Sequence, residues 1–147
     1  MRTIAGLICL MIVAFPLFAE NPGFENGLAG WTAAGSGSWS VNSTTPFIRS
    51  GARSIALTTS SSTADGTLSD TSRSVPIPPS GTRTITVIAW AYSNTTANTV
   101  AVGAFDGSTE YRGAEVAIPS GVWTRVAHIF TAPGSAIYIP TLYGRSP

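Results

Sequence analysis

Apolar and polar residues alternate along most of this chain in short runs, and the run at residues 82–93, TRTITVIAWAYS, shows the pattern best. Successive side chains of a β-strand point to opposite faces. One face of this run would carry Ile85, Val87, Ala89 and Ala91, and the other Thr84, Thr86, Ile88, Trp90 and Tyr92. The pattern predicts a strand whose small apolar face packs in a core, with two large aromatics about 7 Å apart on the opposite face.

Turn residues separate this run from similar ones along the rest of the chain, and no window sustains helical spacing. Short strands with Gly or Pro turns every ~8 to 12 residues are typical of an all-β sandwich or barrel. The predicted strands are Ser38–Asn42, Arg53–Thr59, Thr67–Pro76, Thr82–Ser93, Thr99–Asp106, Glu110–Ile118, Val122–Thr131 and Ala136–Tyr143. Because proline cannot donate to a ladder, Pro140 makes the last segment an edge strand or an interrupted one.

The N-terminal segment has the layout of a secretory signal peptide, with Arg2 followed by an uncharged, mostly apolar run to Ala19. We predict a signal peptide at residues 1–19 and one domain at residues 20–147, secreted to the extracellular space or periplasm. A retained N-terminal anchor is the alternative. Cys9 is the only cysteine and lies in the leader, so the processed domain would have no internal disulfide.

The charge balance argues against nucleic acid or an anionic membrane as partner. All eight basic residues are arginines, and without Arg2 the remaining seven balance the seven acids. No basic patch is indicated. The surface suits neutral, hydroxyl-rich surroundings, although an ordinary solvated β-surface explains the same composition.

Four segments in this order resemble the carbohydrate-binding modules of families 4 and 9, which are galactose-binding-like jelly rolls. They are NPGFENGLAGW at residues 21–31, SGARSIALT at 50–58, SRSVPIPPSGTRTITVIAWAYS at 72–93 and SGVWTRVAHIFTAPGSA at 120–136. The resemblance implies a jelly-roll β-sandwich of two antiparallel sheets that binds polysaccharide. Within it, Phe24 and Trp31 are expected to be core anchors.

The resemblance also implies a final strand with an Asp-Asp-Val-like segment, which has no counterpart here. The alternatives are a truncated chain, a different closure of the fold, or a strand supplied by another chain. Family members commonly bind a structural calcium between the Glu of the opening segment and an Asp of that strand. Glu25 matches the first ligand, and because Ca²⁺ takes six to eight oxygens, we expect a weak or absent site.

Sugar rings stack on aromatic side chains while their hydroxyls pair with polar groups nearby. Trp90 and Tyr92 are the first candidates for a binding platform on the concave sheet, with core packing as the alternative. Trp39 and Tyr111 are further candidates, for which packing is the more common role. Arg112 is a candidate for contacts with sugar hydroxyls.

Catalysis has little support in the sequence, because His128 shares a strand face with aliphatic residues and no paired-carboxylate or nucleophile motif is present. We therefore predict a non-catalytic module for a neutral polysaccharide of the β-glucan or xylan class, at most a fragment of a larger glycoside hydrolase. The alternative is a structural, adhesion or fibre subunit on the cell surface that self-associates through an open sheet edge.

Overall fold

The fold was analysed in a computed structural model that describes residues 2–6, 24–59, 65–70, 75–76, 81–95, 98–134 and 137–145. These residues form twelve β-strands and no helix. The strands are β1 Arg2–Gly6, β2 Trp31–Gly35, β3 Ser38–Asn42, β4 Ser54–Thr59, β5 Asp65–Asp70, β6 Val75–Pro76, β7 Thr82–Ala91, β8 Asn98–Phe105, β9 Glu110–Arg112, β10 Val116–Ile118, β11 Thr124–Pro133 and β12 Ile137–Arg145. Across the described ranges, no helix is long and apolar enough to cross a membrane.

The strands form two layers. One layer is a seven-stranded sheet in the order β10-β8-β12-β5-β2, with β9 paired to β8 and β6 to β12. The other contains the sheet β1-β4-β3 and the pair β11-β7, and β7 and β11 pack against β8. Every strand pairing is antiparallel, so the predicted all-β sandwich of two antiparallel layers is confirmed.

Strand β7 has the two faces expected from its alternation. Ile85, Val87, Ala89 and Ala91 are buried in the main core, whereas the residues between them are partly exposed. The other layer contributes Leu68, Val100, Val102 and Leu142 to this core. Since period-two alternation places every second side chain between the layers, one strand already fixes which face of the sheet is outside.

The opening segment supplies a turn and a strand, as expected. Glycines at positive φ, Gly27 (67°) and Gly30 (81°), shape the turn that precedes β2. Phe24 and Trp31 flank this turn and are both buried, with ring centroids 5.0 Å apart. Their expected role as core anchors is confirmed.

Two predicted strands are each divided in the structure. The segment predicted at 67–76 contains β5 and β6, with residues 71–74 outside the described ranges. The segment predicted at 110–118 contains β9 and β10. Between them, the amide of Gly113 donates to the carbonyl of Val102, and the Arg112–Glu115 ion pair spans the break.

The structure contradicts one of the two alternatives predicted for the strand that contains Pro140, namely an edge strand. β12 is not at an edge, because it pairs with β8 on one side and with β6 and β5 on the other. The register with β6 covers Ile137 and Tyr138, and that with β5 begins at Thr141. Pro140 therefore falls where the described pairing on that side is interrupted, and its missing donor is tolerated there.

Strand β1 lies within the segment predicted as a signal peptide. It pairs antiparallel with β4, from Arg2 opposite Thr59 to Gly6 opposite Ile55, and it also lies against β7. The structure thus places these five residues between the two sheets of one layer. Cleavage after Ala19 stays a prediction, and it would remove β1 from this position.

Leu57 joins the two layers on the β4 side of the sandwich. Its side chain is 1 % exposed. A β-carbon on Gly37, Gly66 or Gly144 would lie 2.5 Å from one of its δ-carbons. These three positions therefore need glycine, because the leucine occupies the space that a side chain would take.

Candidate functional site

The outer face of β7 and β11 is the surface that the sequence analysis placed opposite the core. Cross-strand register pairs Trp90 with Arg125, Ile88 with Ala127, Thr86 with Ile129 and Thr84 with Thr131. These eight residues define what we call the outer face. Ile129 is 64 % exposed, and Trp90 is half-buried. The face therefore combines one indole and two isoleucines with hydroxyl groups, a composition that suits a ligand with both apolar and polar surfaces.

Trp90 has one guanidinium group over its ring and a second arginine as its cross-strand neighbour. The Cζ atom of Arg49 is 3.7 Å from the centroid of its ring, which is a cation–π contact. Arg125 is its cross-strand partner on the same face, and Cβ atoms of such pairs are about 5 Å apart. The indole and the two cations thus form a compact group at one end of β7.

Tyr92 holds the loop that carries Arg49. Although it follows Trp90 by two residues, Tyr92 is only 8 % exposed. Its ring contacts Phe47 edge-on at 5.5 Å and Trp123 at 5.4 Å between centroids. Phe47 also ends a turn in which its amide donates to the carbonyl of Thr44 at 2.9 Å. The structure therefore places Tyr92 beneath this loop, next to the platform that was predicted to include it.

Trp39 does not lie on the outer face. It is half-buried against the core, where its indole approaches the backbone of Gly66 and Gly144. Its Nε1 atom is buried, and within the described part of the chain it has no hydrogen-bond partner. Its ring is thus part of the packing around Leu57.

Tyr111 belongs to an aromatic cluster between β9, β11 and β12. Its ring stacks on Phe130 at 5.0 Å and meets Tyr138 at 5.3 Å. The hydroxyl of Tyr138, followed by desolvation and the nearby Asp106, raises the pKa of Tyr111 to about 12. Its ring faces are thus engaged within the protein.

Arg112 lies on the other layer, away from Trp90. Its guanidinium pairs with Glu115 at 2.7 Å and lies 4.6 Å from the ring centroid of Tyr143. Burial and the charge of Glu110 raise the pKa of Tyr143 to about 12, although Arg112 opposes this shift. The structure therefore does not bring Arg112 together with Trp90 and Arg125.

The described residues contain no cluster of three or more His, Cys, Asp or Glu side chains. His128 is half-buried, stacks on Phe130 at 5.5 Å and packs against Gly113. The carboxylate of Asp106 accepts hydrogen bonds from the amides of Ser108 and Thr109 in a turn, and these bonds lower its pKa. Both groups are thus accounted for by packing or turn geometry.

Comparison with known proteins identifies the family of the chain. The model of the carbohydrate-binding domain family, CBM_4_9, matches residues 18–143. The chain belongs to this family. No curated protein matches the sequence.

Two solved structures share the fold of this carbohydrate-binding domain at low identity. The structure of TmCBM61 in complex with β-1,4-galactotriose has a TM-score of 0.64 and 19 % identity, and the match covers 88 % of this chain and 87 % of that one. The enzymatically active domain of tailspike protein 4 from bacteriophage CBA120 has a TM-score of 0.58 and 16 % identity. That match covers 88 % of this chain and 19 % of the tailspike chain.

The calcium ligand expected from the family, Glu25, is engaged in a loop contact. Both of its carboxylate oxygens lie 3.1 Å from the amide of Ala52. The guanidinium of Arg53 donates to the Glu25 carbonyl at 2.9 Å. Since Glu25 belongs to no group of three or more His, Cys, Asp or Glu side chains in the described ranges, these residues do not fit the oxygen cage that Ca²⁺ prefers.

Sequence reasoning missed Arg49, Arg125 and Phe47 as parts of the site. Arg125 lies in the strand predicted at 122–131, but its pairing with Trp90 depends on the register of β11. A register cannot be derived from either strand alone. Arg49 and Phe47 lie in a loop without periodicity, so only the aromatic content of that loop could have indicated them.

Proposed function

We propose that this domain binds a polysaccharide by stacking a sugar ring on Trp90, and that it is secreted and non-catalytic. The observation that supports this most is a half-buried indole on the outer face, with Arg49 over its ring, Arg125 as its cross-strand neighbour and three threonines further along the same face. The axial C–H groups of a sugar pack on such a ring while neighbouring polar groups pair with its hydroxyls. Membership of the carbohydrate-binding domain family supports the same role.

We infer that the backbone of the ligand is a neutral glycan of the β-glucan or xylan class. Thr84, Thr86 and Thr131 offer hydroxyl groups along the outer face without an acidic side chain among its eight residues. A neutral chain needs few charged partners and many uncharged ones. The galactotriose bound by TmCBM61 adds a β-1,4-galactan to the ligands worth testing.

Affinity gel electrophoresis and calorimetry against soluble glucans, xylans and galactans test this proposal. We expect at least one polymer to retard the wild-type chain, and Trp90→Ala to weaken binding about tenfold or more, as truncation of a central aromatic contact does. Trp39→Phe is the matched control, since Trp39 packs in the interior and should leave binding unchanged. Retardation by no polymer, or full binding by the Trp90 variant, would contradict the proposal.

A second candidate function is assembly through a sheet edge. Residues 55–59 of β4 pair with β1, and removal of residues 1–19 by the predicted cleavage would leave that side of β4 without this partner. An unpaired edge invites a strand from another copy. Light scattering of residues 20–147 decides this: oligomers that form regardless of sugar favour assembly, and a stable monomer contradicts it.

A further inference from the structure

Two arginines from different elements are neighbours of Trp90. Arg49 reaches it from the loop before β4, with Cζ 3.7 Å from the ring centroid. Arg125 stands opposite it in the register of β7 and β11. Both side chains are on exposed residues. A sugar stacked on Trp90 would therefore have one or both guanidinium groups beside its ring.

Neither arginine has an acidic partner among the residues that the structure describes. Two other arginines do have one, since Arg112 and Arg145 both approach Glu115, at 2.7 and 3.9 Å. Within the described ranges, Arg49 has only the indole as a partner. No acidic side chain of the described residues thus pairs with the positive charge beside Trp90, although the chain as a whole is nearly neutral.

Three acidic side chains of the described residues are held in other places. Glu25 is bonded to Ala52, Asp106 is bonded within its own turn, and Glu115 lies with Arg112 at the other layer. None of the eight residues of the outer face is acidic. A ligand at Trp90 is therefore the natural source of a counter-charge for Arg49 and Arg125.

We propose that Arg49 and Arg125 bind the carboxylate of an acidic sugar next to the sugar that stacks on Trp90. This assignment rests on the proposed function and specifies its ligand: a neutral polysaccharide backbone that carries uronate residues. The planar guanidinium matches a carboxylate with two parallel N–H···O bonds. A sugar hydroxyl accepts a single neutral bond from the same group.

The cation–π contact explains how Arg49 can have a partner both without and with a bound ligand. Such a contact at an exposed site is worth only ~0.5–1 kcal/mol. Without ligand, the guanidinium rests on the indole. A carboxylate offers it a charged partner, and the ring face then becomes available to the sugar. The loop itself stays in place because Phe47 packs against Tyr92.

A pair of matched polymers tests the proposal: a glucuronate-substituted xylan and the same xylan after chemical reduction of its carboxyl groups. We expect the purified chain to bind the acidic form about fivefold more tightly at neutral pH, the effect of roughly one exposed ion pair. The preference should shrink as salt is raised, because the screening length falls from about 10 Å at 0.1 M to about 3 Å at 1 M. Equal binding of both polymers would overturn the proposal.

Variants test which arginines cause the preference for the acidic xylan. Arg49→Gln with Arg125→Gln should bind the two xylans equally and still bind the reduced form through Trp90. Arg145→Gln removes one positive charge at the other layer and should keep the preference. A preference that survives in the double variant, or that is lost in the Arg145 control, would overturn the assignment.

The same experiment separates this proposal from the one it rests on. If the wild-type chain binds neither xylan nor any glucan or galactan, the proposed function fails and takes this assignment with it. If it binds both xylans equally and Trp90→Ala abolishes binding, the function stands and only the carboxylate assignment fails. Tighter binding of a sulfated galactan than of the acidic xylan would likewise overturn the choice of a carboxylate.

Discussion

Gly144→Ala is the substitution whose effect follows most directly from the packing between the layers. Gly144 is buried in β12, and a β-carbon there would lie 2.5 Å from Cδ2 of Leu57. On its other side, Cδ1 of Leu57 already lies against Gly37 and Gly66, so closely that a β-carbon on either glycine would be 2.5 Å from it. The leucine therefore has little room to move away from residue 144. The added methyl group must therefore push the two layers apart or force Leu57 from its rotamer.

The expected loss in free energy of unfolding follows from this geometry. Overpacking a rigid core by one methyl group costs about 1–3 kcal/mol, and Leu57→Ala alone should cost about 2–5 kcal/mol because it leaves a cavity. In the double variant, the alanine at 144 partly fills that cavity. The two substitutions should therefore cost less together than the sum of their separate effects, by about 0.5–3 kcal/mol.

Urea unfolding followed by tryptophan fluorescence measures these free energies. Ser40→Thr is the control, since it adds one methyl group at an exposed position of β3 and should change stability by less than about 0.5 kcal/mol. An equally small effect of Gly144→Ala, or strict additivity in the double variant, would refute this account of the packing.

Three further predictions concern ion binding and titration. Because Glu25 is engaged by a backbone amide and belongs to no group of three or more His, Cys, Asp or Glu side chains in the described ranges, we expect the thermal midpoint to be the same with calcium and with chelator; a rise with calcium would contradict this. Backbone amides of its turn lower the pKa of Asp106 below the ordinary value of 3.8. The ionised carboxylate therefore stabilises the fold above pH 3.8, and this contribution is lost as the pH falls through the folded-state pKa. Asp106→Ala should thus be less stable than wild type at neutral pH, by urea unfolding, with the difference closing as the pH falls below the ordinary aspartate pKa; a constant difference would argue otherwise. Tyr111 and Tyr143, both with a pKa of about 12, should ionise late in an absorbance titration, and stability should fall between about pH 10 and 12 as the unfolded state ionises first. A tyrosine titration complete by about pH 11 would contradict these shifts.

The alternation along β7 was enough to predict the outer face and Trp90 on it. Periodicity assigns a side chain to a face, and one buried face then determines the other. Tyr92 shows where this reasoning ends. It follows Trp90 by two residues, but it lies beyond the last residue of β7 and is covered by Phe47 and Trp123. Those contacts come from segments about 30 to 45 residues away in the sequence.

Trp39 and Pro140 were harder to place for the same reason. Trp39 lies in a strand whose bounds were predicted correctly, but its role depends on two glycines of the opposite layer that leave room for its ring. Pro140 lies in a central strand because β6 and β5 share one side of β12. The order of strands in a sheet reflects contacts between distant segments, which local pattern does not contain.

The outer face has one aromatic ring among its eight residues, and this limits how the domain can hold a polymer. One ring accommodates one sugar unit, so each binding event would be weak. A long chain presents the same unit many times, and a domain that dissociates from one unit finds the next within reach. The domain would then favour polymer over short oligosaccharides through the number of equivalent positions, and it would move along the chain rather than remain at one point.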